Sequence, residues 1–179
     1  MNLKLQLFAA LLLLAFNPAF SQDRVSPAVP GFGGIYEIES PDEKPDPSLE
    51  YNIVIDVTMG SDSANAVNPS LHNIARMMNL HVAAGVPLKN MHVKAVIHSK
   101  AIAAVLDNKH HKEKFEVDNP NIDLIGALKK SGVEIYVCAQ SLLARNYERE
   151  WVNKDIGISY SALTLLTTYQ LKGYSLLKF

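Results

Sequence analysis

Short β-branched apolar segments alternate with stretches of helical periodicity from Tyr51 to the end of the chain. Residues 52–58, Asn-Ile-Val-Ile-Asp-Val-Thr, are nearly continuous in apolar character, as expected of a strand that is buried on both faces. Strands that alternate with helices are joined by parallel crossovers, and helices then cover both faces of the sheet. The pattern therefore predicts a doubly wound α/β domain. Further strands are predicted at residues 91–97, 133–137, 156–160 and 173–179.

The segments between these strands contain the helical pattern. Pro69 suits the first turn of a helix with Asn68 as its cap, and apolar residues recur at helical spacing as far as Val82. The charge-rich stretch 108–119 is predicted to be a loop. Further helices are expected at residues 100–106, 121–130, 140–145 and 161–171.

The first 21 residues are typical of a cleaved secretory signal peptide. One positive charge at Lys4 precedes an apolar run over residues 5–16, and the small residues Ala19 and Ser21 suit cleavage before Gln22. The run of 12 residues is shorter than the roughly 20 residues that cross a bilayer. We therefore expect a periplasmic or secreted protein, with no membrane insertion after signal cleavage.

Residues 22–50 form a lead-in that is rich in proline and glycine. Five prolines and three closely spaced glycines disfavour both a helix and a central strand. Two interpretations stay open for this segment. Its apolar residues Phe32, Ile35, Tyr36 and Ile38 pack on the domain or on a neighbouring subunit, or the segment is a tether.

The charge balance of the mature chain bears on its partners. Removal of 21 residues from 179 leaves 158, about the size of one domain. These residues comprise the lead-in and the α/β domain predicted over residues 51–179. Lys4 is the charged residue of the signal segment, so 16 basic and 18 acidic residues remain. This balance argues against nucleic acid as a partner, because nucleic-acid binding requires a positive patch that displaces counterions.

The chain contains one cysteine, Cys138, so it cannot form an internal disulfide. The core must be held together by apolar burial, and we expect homo-oligomerisation to add to it. Three interpretations of Cys138 remain open. It is a buried and inert thiol, a reactive thiol, or half of an intermolecular bond.

The carboxyl ends of the strands indicate where a site would lie, because ligands of open parallel sheets bind at that edge. The first strand ends near Thr58 and Gly60, the second near His98 and Lys100, and the third near Cys138. The same edge therefore brings together a thiol, a histidine and a lysine.

Cys138 is predicted to lie at a strand-to-helix corner. If a helix begins at Ala139 or Gln140, its free amide groups face the sulfur and favour the thiolate. His98 or Lys100 nearby would lower the pKa of the thiol further. A thiolate is what nucleophilic attack or sulfur carriage requires. The alternative is an apolar buried cysteine, since free cysteine is among the most buried residue types.

Other chemical signals are weak or missing. The adjacent pair His110-His111 has no third ligand at helical spacing, so no metal site is predicted. The chain has no glycine-rich phosphate loop, nucleophile elbow or Cys-x-x-Cys pair, and we expect no cofactor. Residues 59–63, Met-Gly-Ser-Asp-Ser, could hold an anion through backbone amides. A Cys-His hydrolase is disfavoured because no carboxylate is evident to orient His98.

Residues 132–142, Gly-Val-Glu-Ile-Tyr-Val-Cys-Ala-Gln-Ser-Leu, resemble the DsrE/DsrF-like family, also called the YchN-like fold. The segments Val96-Ile97-His98 and Gly173-Tyr174 support the resemblance, which runs from about Tyr51 to Phe179. It implies a three-layer α/β/α domain with a five-stranded, mostly parallel sheet, assembled as trimers or hexamers. Some members carry persulfide sulfur on a cysteine that corresponds to Cys138, whereas others have no assigned activity.

Two functional hypotheses follow. In the first, Cys138 accepts and passes on a sulfane sulfur, as a sulfur carrier of the sulfurtransferase kind. In the second, the protein is a non-catalytic oligomeric module that binds a small ligand, and Cys138 only lines the pocket. Either hypothesis admits a small sulfur-containing ligand. The candidate binding residues are His98, Lys100, Gln140, Ser141, Thr58 and Gly60.

Overall fold

The computed structural model of the protein describes residues 23–179, so the predicted signal peptide lies outside the described residues. Five strands form one sheet with the order β4-β3-β2-β1-β5, and every neighbouring pair is parallel. Helices flank the sheet, which confirms the predicted three-layer α/β/α architecture. In this described part of the chain, no helix is both long and apolar enough to span a membrane.

The strands begin and end within one or two residues of their predicted bounds. Their carboxyl ends are aligned across the sheet, because Val57 pairs with Ile97, Ile97 with Val137, and Cys138 with Ser159. The residues that follow β1, β2 and β3 therefore share one edge, as the sequence predicted. The strands are β1 (Tyr51–Val57), β2 (Met91–Ile97), β3 (Glu134–Cys138), β4 (Gly157–Ser159) and β5 (Ser175–Lys178).

Five α-helices and three 3₁₀ turns connect the strands. Asn68 caps the first helix as predicted, since its side-chain oxygen accepts from the amides of Ser70 and Leu71 at 3.0 and 3.1 Å. The helices are α1 (Pro69–Ala83), α2 (Asn108–Phe115), α3 (Ile122–Lys130), α4 (Ala139–Leu143) and α5 (Ala162–Leu171), and the 3₁₀ turns are Leu88–Asn90, Ser99–Val105 and Arg149–Trp151.

Helix α2 corrects the prediction of a loop over 108–119. The segment lacks an apolar stripe, which is why periodicity missed it. The helix is held instead by its ends: the Asp107 carboxylate accepts from the His110 amide at 2.8 Å, and Glu116 ends it in a left-handed conformation at φ 65°. His111 supplies its buried contact with the domain. The helix predicted at 100–106 is the 3₁₀ turn Ser99–Val105.

The two faces of the sheet are covered unequally. On one face, which we call the α1 face, strand residues such as Ile55, Ala95 and Val137 belong to the large core that also includes residues of α1 and α3. On the opposite face, the α5 face, a smaller cluster packs beneath α5. Successive strand residues alternate between these faces. The buried members of the small cluster are Val54, Val96, Cys138, Ala162 and Leu165.

The first half of the lead-in is part of the folded domain. Asn79 of α1 holds it, because its side-chain oxygen accepts from the amides of Ala28 and Val29, each at 2.9 Å. The amide group of Asn79 donates to the carbonyls of Phe32 and Gly33 at 2.8 and 3.0 Å. Four hydrogen bonds from one buried side chain thus replace the regular structure that proline and glycine prevent.

The apolar residues of the lead-in divide into two pairs. Phe32 packs against the core and Ile35 is buried, as one of the two open interpretations expected. Tyr36 and Ile38 are 47% and 67% exposed. The tether interpretation therefore does not describe the segment as far as Ile35.

Candidate functional site

Cys138 is the last residue of β3 and caps the short helix α4. It lies on the α5 face, where its neighbours in the apolar cluster include Val54, Val96 and Ala162. The residue is only 5% exposed. The predicted strand-to-helix corner is therefore present, and the sulfur lies within the packed layer rather than in an open groove.

Burial raises the pKa of the Cys138 thiol, but hydrogen bonds outweigh that effect and the pKa lies below its usual value. The donors are the backbone of Ala162, the hydroxyl and backbone of Ser141, and the backbone of Gln140. Ala162 is the first residue of α5, whereas Gln140 and Ser141 belong to α4. The starts of two helices thus converge on one sulfur, and both favour the thiolate.

Ser141 connects Cys138 to the end of β2. Its hydroxyl donates to the sulfur and accepts from the Ser99 amide at 3.4 Å. Ser99 has φ 57°, in the left-handed region that L side chains adopt at some cost. This conformation turns the chain sharply where β2 gives way to the 3₁₀ turn.

His98 lies beside Cys138 on the α5 face. Ile97 and Val137 are register partners, so the next residues, His98 and Cys138, occupy adjacent strand positions and point to the same face. The Nε2 atom of His98 lies 2.6 Å from Oδ1 of Asp56. Neutral His98 therefore carries its proton on Nε2, and its Nδ1 atom is left as an acceptor.

Asp56 was not anticipated from the sequence. Its second oxygen, Oδ2, pairs with Lys178 Nζ at 3.3 Å, so the carboxylate is shared between His98 and a lysine of β5. The expectation that His98 lacks an orienting carboxylate is wrong. The available signal was a single charged residue inside an otherwise apolar central strand, a position that requires a partner.

The remaining predicted residues do not form one site with Cys138. Gly60 and Lys100 line a separate cavity of about 490 Å³, which Cys138 does not line. A Cβ atom at Gly60 would lie 3.0 Å from the Lys100 carbonyl oxygen, so these two residues approach each other closely. Thr58 follows β1 next to His98, whose amide donates to the Val57 carbonyl at 3.0 Å. The strand ends are thus divided between two environments.

The interactions that lower the pKa of Cys138 agree in part with the expectation, because amides at the start of α4 contribute as predicted. The sequence also suggested His98 or Lys100 as a cation that lowers the pKa further. The structure assigns the effect to amides and to the Ser141 hydroxyl. Lys100 lies in the other cavity, and His98 is paired with Asp56.

A second polar cluster lies at the opposite end of the α5 face. Glu134 accepts from Lys94 and from the Tyr136 hydroxyl, the latter at 2.6 Å. These two hydrogen bonds hold the pKa of Glu134 below its usual value. Lys94 Nζ also lies 5.0 Å from the centre of the Tyr169 ring. This cluster fixes the far end of α5 over the sheet.

The adjacent histidines of α2 have separate environments. His110 Nδ1 lies 2.7 Å from an Asp107 oxygen, and its ring stacks on Trp151 with centroids 5.0 Å apart. His111 is buried and its Nδ1 donates to the Val117 carbonyl at 2.8 Å. Within residues 23–179, no group of three or more histidine, cysteine or acidic residues is arranged to hold a metal ion.

Comparisons with known proteins extend these observations. The model of the DsrE/DsrF-like family matches residues 52–179, which include Cys138, His98 and Asp56. The solved structure of MTH1491 from Methanobacterium thermoautotrophicum, described as a protein of unknown function, is 15% identical with a TM-score of 0.55. The similarity covers 72% of this chain and 99% of that one and, at this identity, shows the fold. A search of curated proteins finds no match.

Proposed function

The chain belongs to the DsrE/DsrF-like family, and on that premise we propose that it carries sulfane sulfur on Cys138. The observation that supports the proposal most strongly is the set of hydrogen bonds from α4 and α5 that lower the pKa of this thiol. A thiolate is the nucleophile in exchange at sulfur, and its fraction at neutral pH limits the rate.

In the loading step, the Cys138 thiolate attacks the outer sulfur of a persulfide donor, R–S–SH. A new S–S bond forms at Cys138, the donor S–S bond breaks, and its electron pair leaves with the thiolate RS⁻. In the unloading step, an acceptor thiolate attacks the outer sulfur of the Cys138 persulfide and releases the Cys138 thiolate. Neither step requires an oxidant or a metal, because the transferred sulfur stays at the sulfane oxidation level and each S–S bond that breaks is replaced by a new one.

Groups around Cys138 assist the transfer of sulfur in three ways. Amides at the starts of α4 and α5 stabilise negative charge on the thiolate and on the persulfide. His98 accepts the thiol proton through Nδ1, while Asp56 holds its Nε2–H at 2.6 Å. Lys178 balances the charge of Asp56.

Intact mass spectrometry tests the proposal. Reduced protein is incubated with a persulfide donor such as glutathione persulfide, and separately with thiosulfate. We expect the addition of one sulfur atom, mapped to Cys138 and reversed by dithiothreitol. If no donor adds sulfur to the folded wild-type protein, the proposal is overturned.

The burial of Cys138 favours a second candidate, a non-catalytic module that binds a small ligand at the strand ends. A residue that is 5% exposed among Val54, Val96 and Leu165 is placed as a core residue would be. In this case the Cys138→Ser variant keeps full ligand binding, and alkylation of Cys138 at neutral pH is slow. Sulfur carriage requires rapid alkylation of Cys138 and loss of sulfur uptake in Cys138→Ser, whatever other ligand that variant still binds.

We also propose that the protein is exported and forms trimers or hexamers. Three large apolar side chains at or in α5 are strongly exposed, and an interface between subunits would cover them: Tyr160 at 80%, Leu163 at 77% and Leu171 at 89%. Light scattering of a protein from which residues 1–21 have been removed tests assembly, and a strict monomer at micromolar concentration contradicts it. Fractionation of cells that express the full chain tests export.

A further inference from the structure

The cavity lined by Gly60 and Lys100 lies at the same sheet edge as Cys138, but on the α1 face. Its volume is about 490 Å³, within the range of small-molecule pockets. The loop after β1, the 3₁₀ turn after β2, and helix α2 form its walls, together with the cap residues of α1 and α3. The lining residues include Gly60, Ser61, Lys100, Ala104, His111 and Phe115.

His111 presents an unpartnered nitrogen to this cavity. The residue is only 2% exposed, and its Nδ1 donates to the Val117 carbonyl at 2.8 Å. Nε2 is therefore a hydrogen-bond acceptor in the neutral ring, and no partner within residues 23–179 satisfies it. Since no side-chain nitrogen or oxygen in the same residues is both inaccessible and unpartnered, Nε2 reaches accessible space, and His111 lines this cavity.

Lys100 gives the residues that line the cavity a formal positive charge. Lys100 is exposed at its rim and has no ion-pair partner among residues 23–179. None of the lining residues is acidic. The positive end of α1 lies at the same place, because its cap Asn68 lines the wall and its first turn contains no acidic residue. Helix α3 also begins there with Asn121, but Asp123 in its first turn offsets its positive end. An anionic group is therefore favoured near Lys100.

Part of the wall is apolar. Ala101 and Ala104 are buried there, and Phe115 packs on the His111 ring with centroids 4.8 Å apart. A ligand that fits these walls has an apolar body, a negative charge for Lys100, and a hydrogen-bond donor for Nε2 of His111. Small hydroxy- or amino-carboxylates have all three features.

We propose that the cavity between α2 and the loop after β1 binds a small hydroxy- or amino-carboxylate. Its carboxylate pairs with Lys100 and the Ser61 hydroxyl, its hydroxyl or amino group donates to Nε2 of His111, and its apolar body lies against Phe115. The site is separate from Cys138, so it does not depend on the proposed sulfur chemistry.

Calorimetry with two matched probes tests the proposal. L-phenyllactate supplies a carboxylate, a hydroxyl and an apolar ring, whereas 3-phenylpropionate lacks the hydroxyl. We expect wild-type protein to bind phenyllactate roughly tenfold more tightly, since one additional hydrogen bond to Nε2 of His111 contributes about one such factor. His111→Phe should remove that preference, and Lys100→Gln should weaken both probes about tenfold.

The Cys138→Ser variant is the control, and it should bind both probes as wild type does. Lys100 is exposed, so Lys100→Gln is expected to fold even if His111→Phe does not. The proposal is overturned if neither probe binds at millimolar concentration, if phosphate binds as tightly as phenyllactate, or if Lys100→Gln leaves both affinities unchanged. A loss of binding in Cys138→Ser would also overturn it, because the two sites would then be one.

Discussion

The two environments at the carboxyl edge of the sheet differ in a simple way. The Cys138 environment has a nucleophile and little space: the residue is 5% exposed, and interactions with two helix starts lower the pKa of its thiol. The cavity beside Lys100 has about 490 Å³ of space and an open histidine nitrogen, but it contains no cysteine. The sheet itself separates them, because residues at successive positions face opposite sides. Residues at the same edge of the sheet therefore do not necessarily belong to the same site.

The substitution with the largest expected effect distinguishes the Cys138 environment from the cavity beside Lys100. Cys138→Ser should abolish sulfur uptake, because a hydroxyl cannot form a persulfide, and it should leave the phenyllactate affinity of the cavity unchanged. Intact mass and calorimetry on the same preparation measure both. Sulfur uptake that persists in the variant would show that the acceptor is not a cysteine.

Asp56→Asn should have the next largest effect. The substitution keeps the shape of the side chain and removes the charge that His98 Nε2 and Lys178 share. If His98 is the base, loading of sulfur should slow about a hundredfold, the lower end of what a general base contributes. The rate is measured from the time course of the mass increase at neutral pH.

Asp155→Asn is a matched control for that prediction. Asp155 also pairs with a lysine, Lys129, at 2.9 Å, but it precedes β4 at the other end of the sheet. The control should load sulfur at the wild-type rate. If sulfur loading slows equally in both variants, the effect of Asp56→Asn comes from a loss of stability rather than from its contact with His98.

Ser141→Ala should produce a smaller effect on the thiol. Loss of the Ser141 hydroxyl removes one of the hydrogen bonds that lower the pKa of Cys138, so less thiolate is present at neutral pH. Alkylation by iodoacetamide should slow roughly threefold to tenfold. Ser159→Ala is the control, since its hydroxyl donates to the Val137 carbonyl at 3.1 Å and is not among the groups that lower the pKa of Cys138. Equal rates in the two variants would contradict the role given to Ser141.

Glu134→Gln addresses the far end of the α5 face and should have the smallest effect. The pKa of Glu134 is lowered in the folded protein, so its ionised form stabilises the fold at neutral pH, and this contribution is lost as the pH falls through the folded pKa. The side chain is 55% exposed, so solvent screening limits the loss to about 0.5 kcal/mol at pH 7. Urea unfolding at pH 7 and at pH 3 measures it: the variant should be less stable at pH 7, and the difference should shrink at pH 3. A constant difference would exclude the charge as its cause.

The sequence predicted the features that depend on local pattern. β-Branched runs located the strands, and Pro69 with Asn68 located the start of α1. Helix α2 was missed because it lacks an apolar stripe and depends on the Asp107 cap and buried His111.

Features that depend on distant residues could not be predicted in this way. The position of residues 28–33 against the domain depends on Asn79, which lies about 50 positions later in the chain. Asp56 and His98 meet across 42 positions, through the register of β1 and β2. The separation of Lys100 from Cys138 follows from the turn at Ser99, whose left-handed conformation no residue preference indicated.

The pH dependence of Cys138 alkylation tests the central claim most directly. In the wild-type protein, the rate with iodoacetamide is measured from pH 5 to pH 10, and it rises as the thiolate forms. Hydrogen bonds from α4 and α5 predict a midpoint below the ordinary cysteine value of about 8.5. A midpoint at or above that value would contradict the account, because burial would then outweigh the two helix starts.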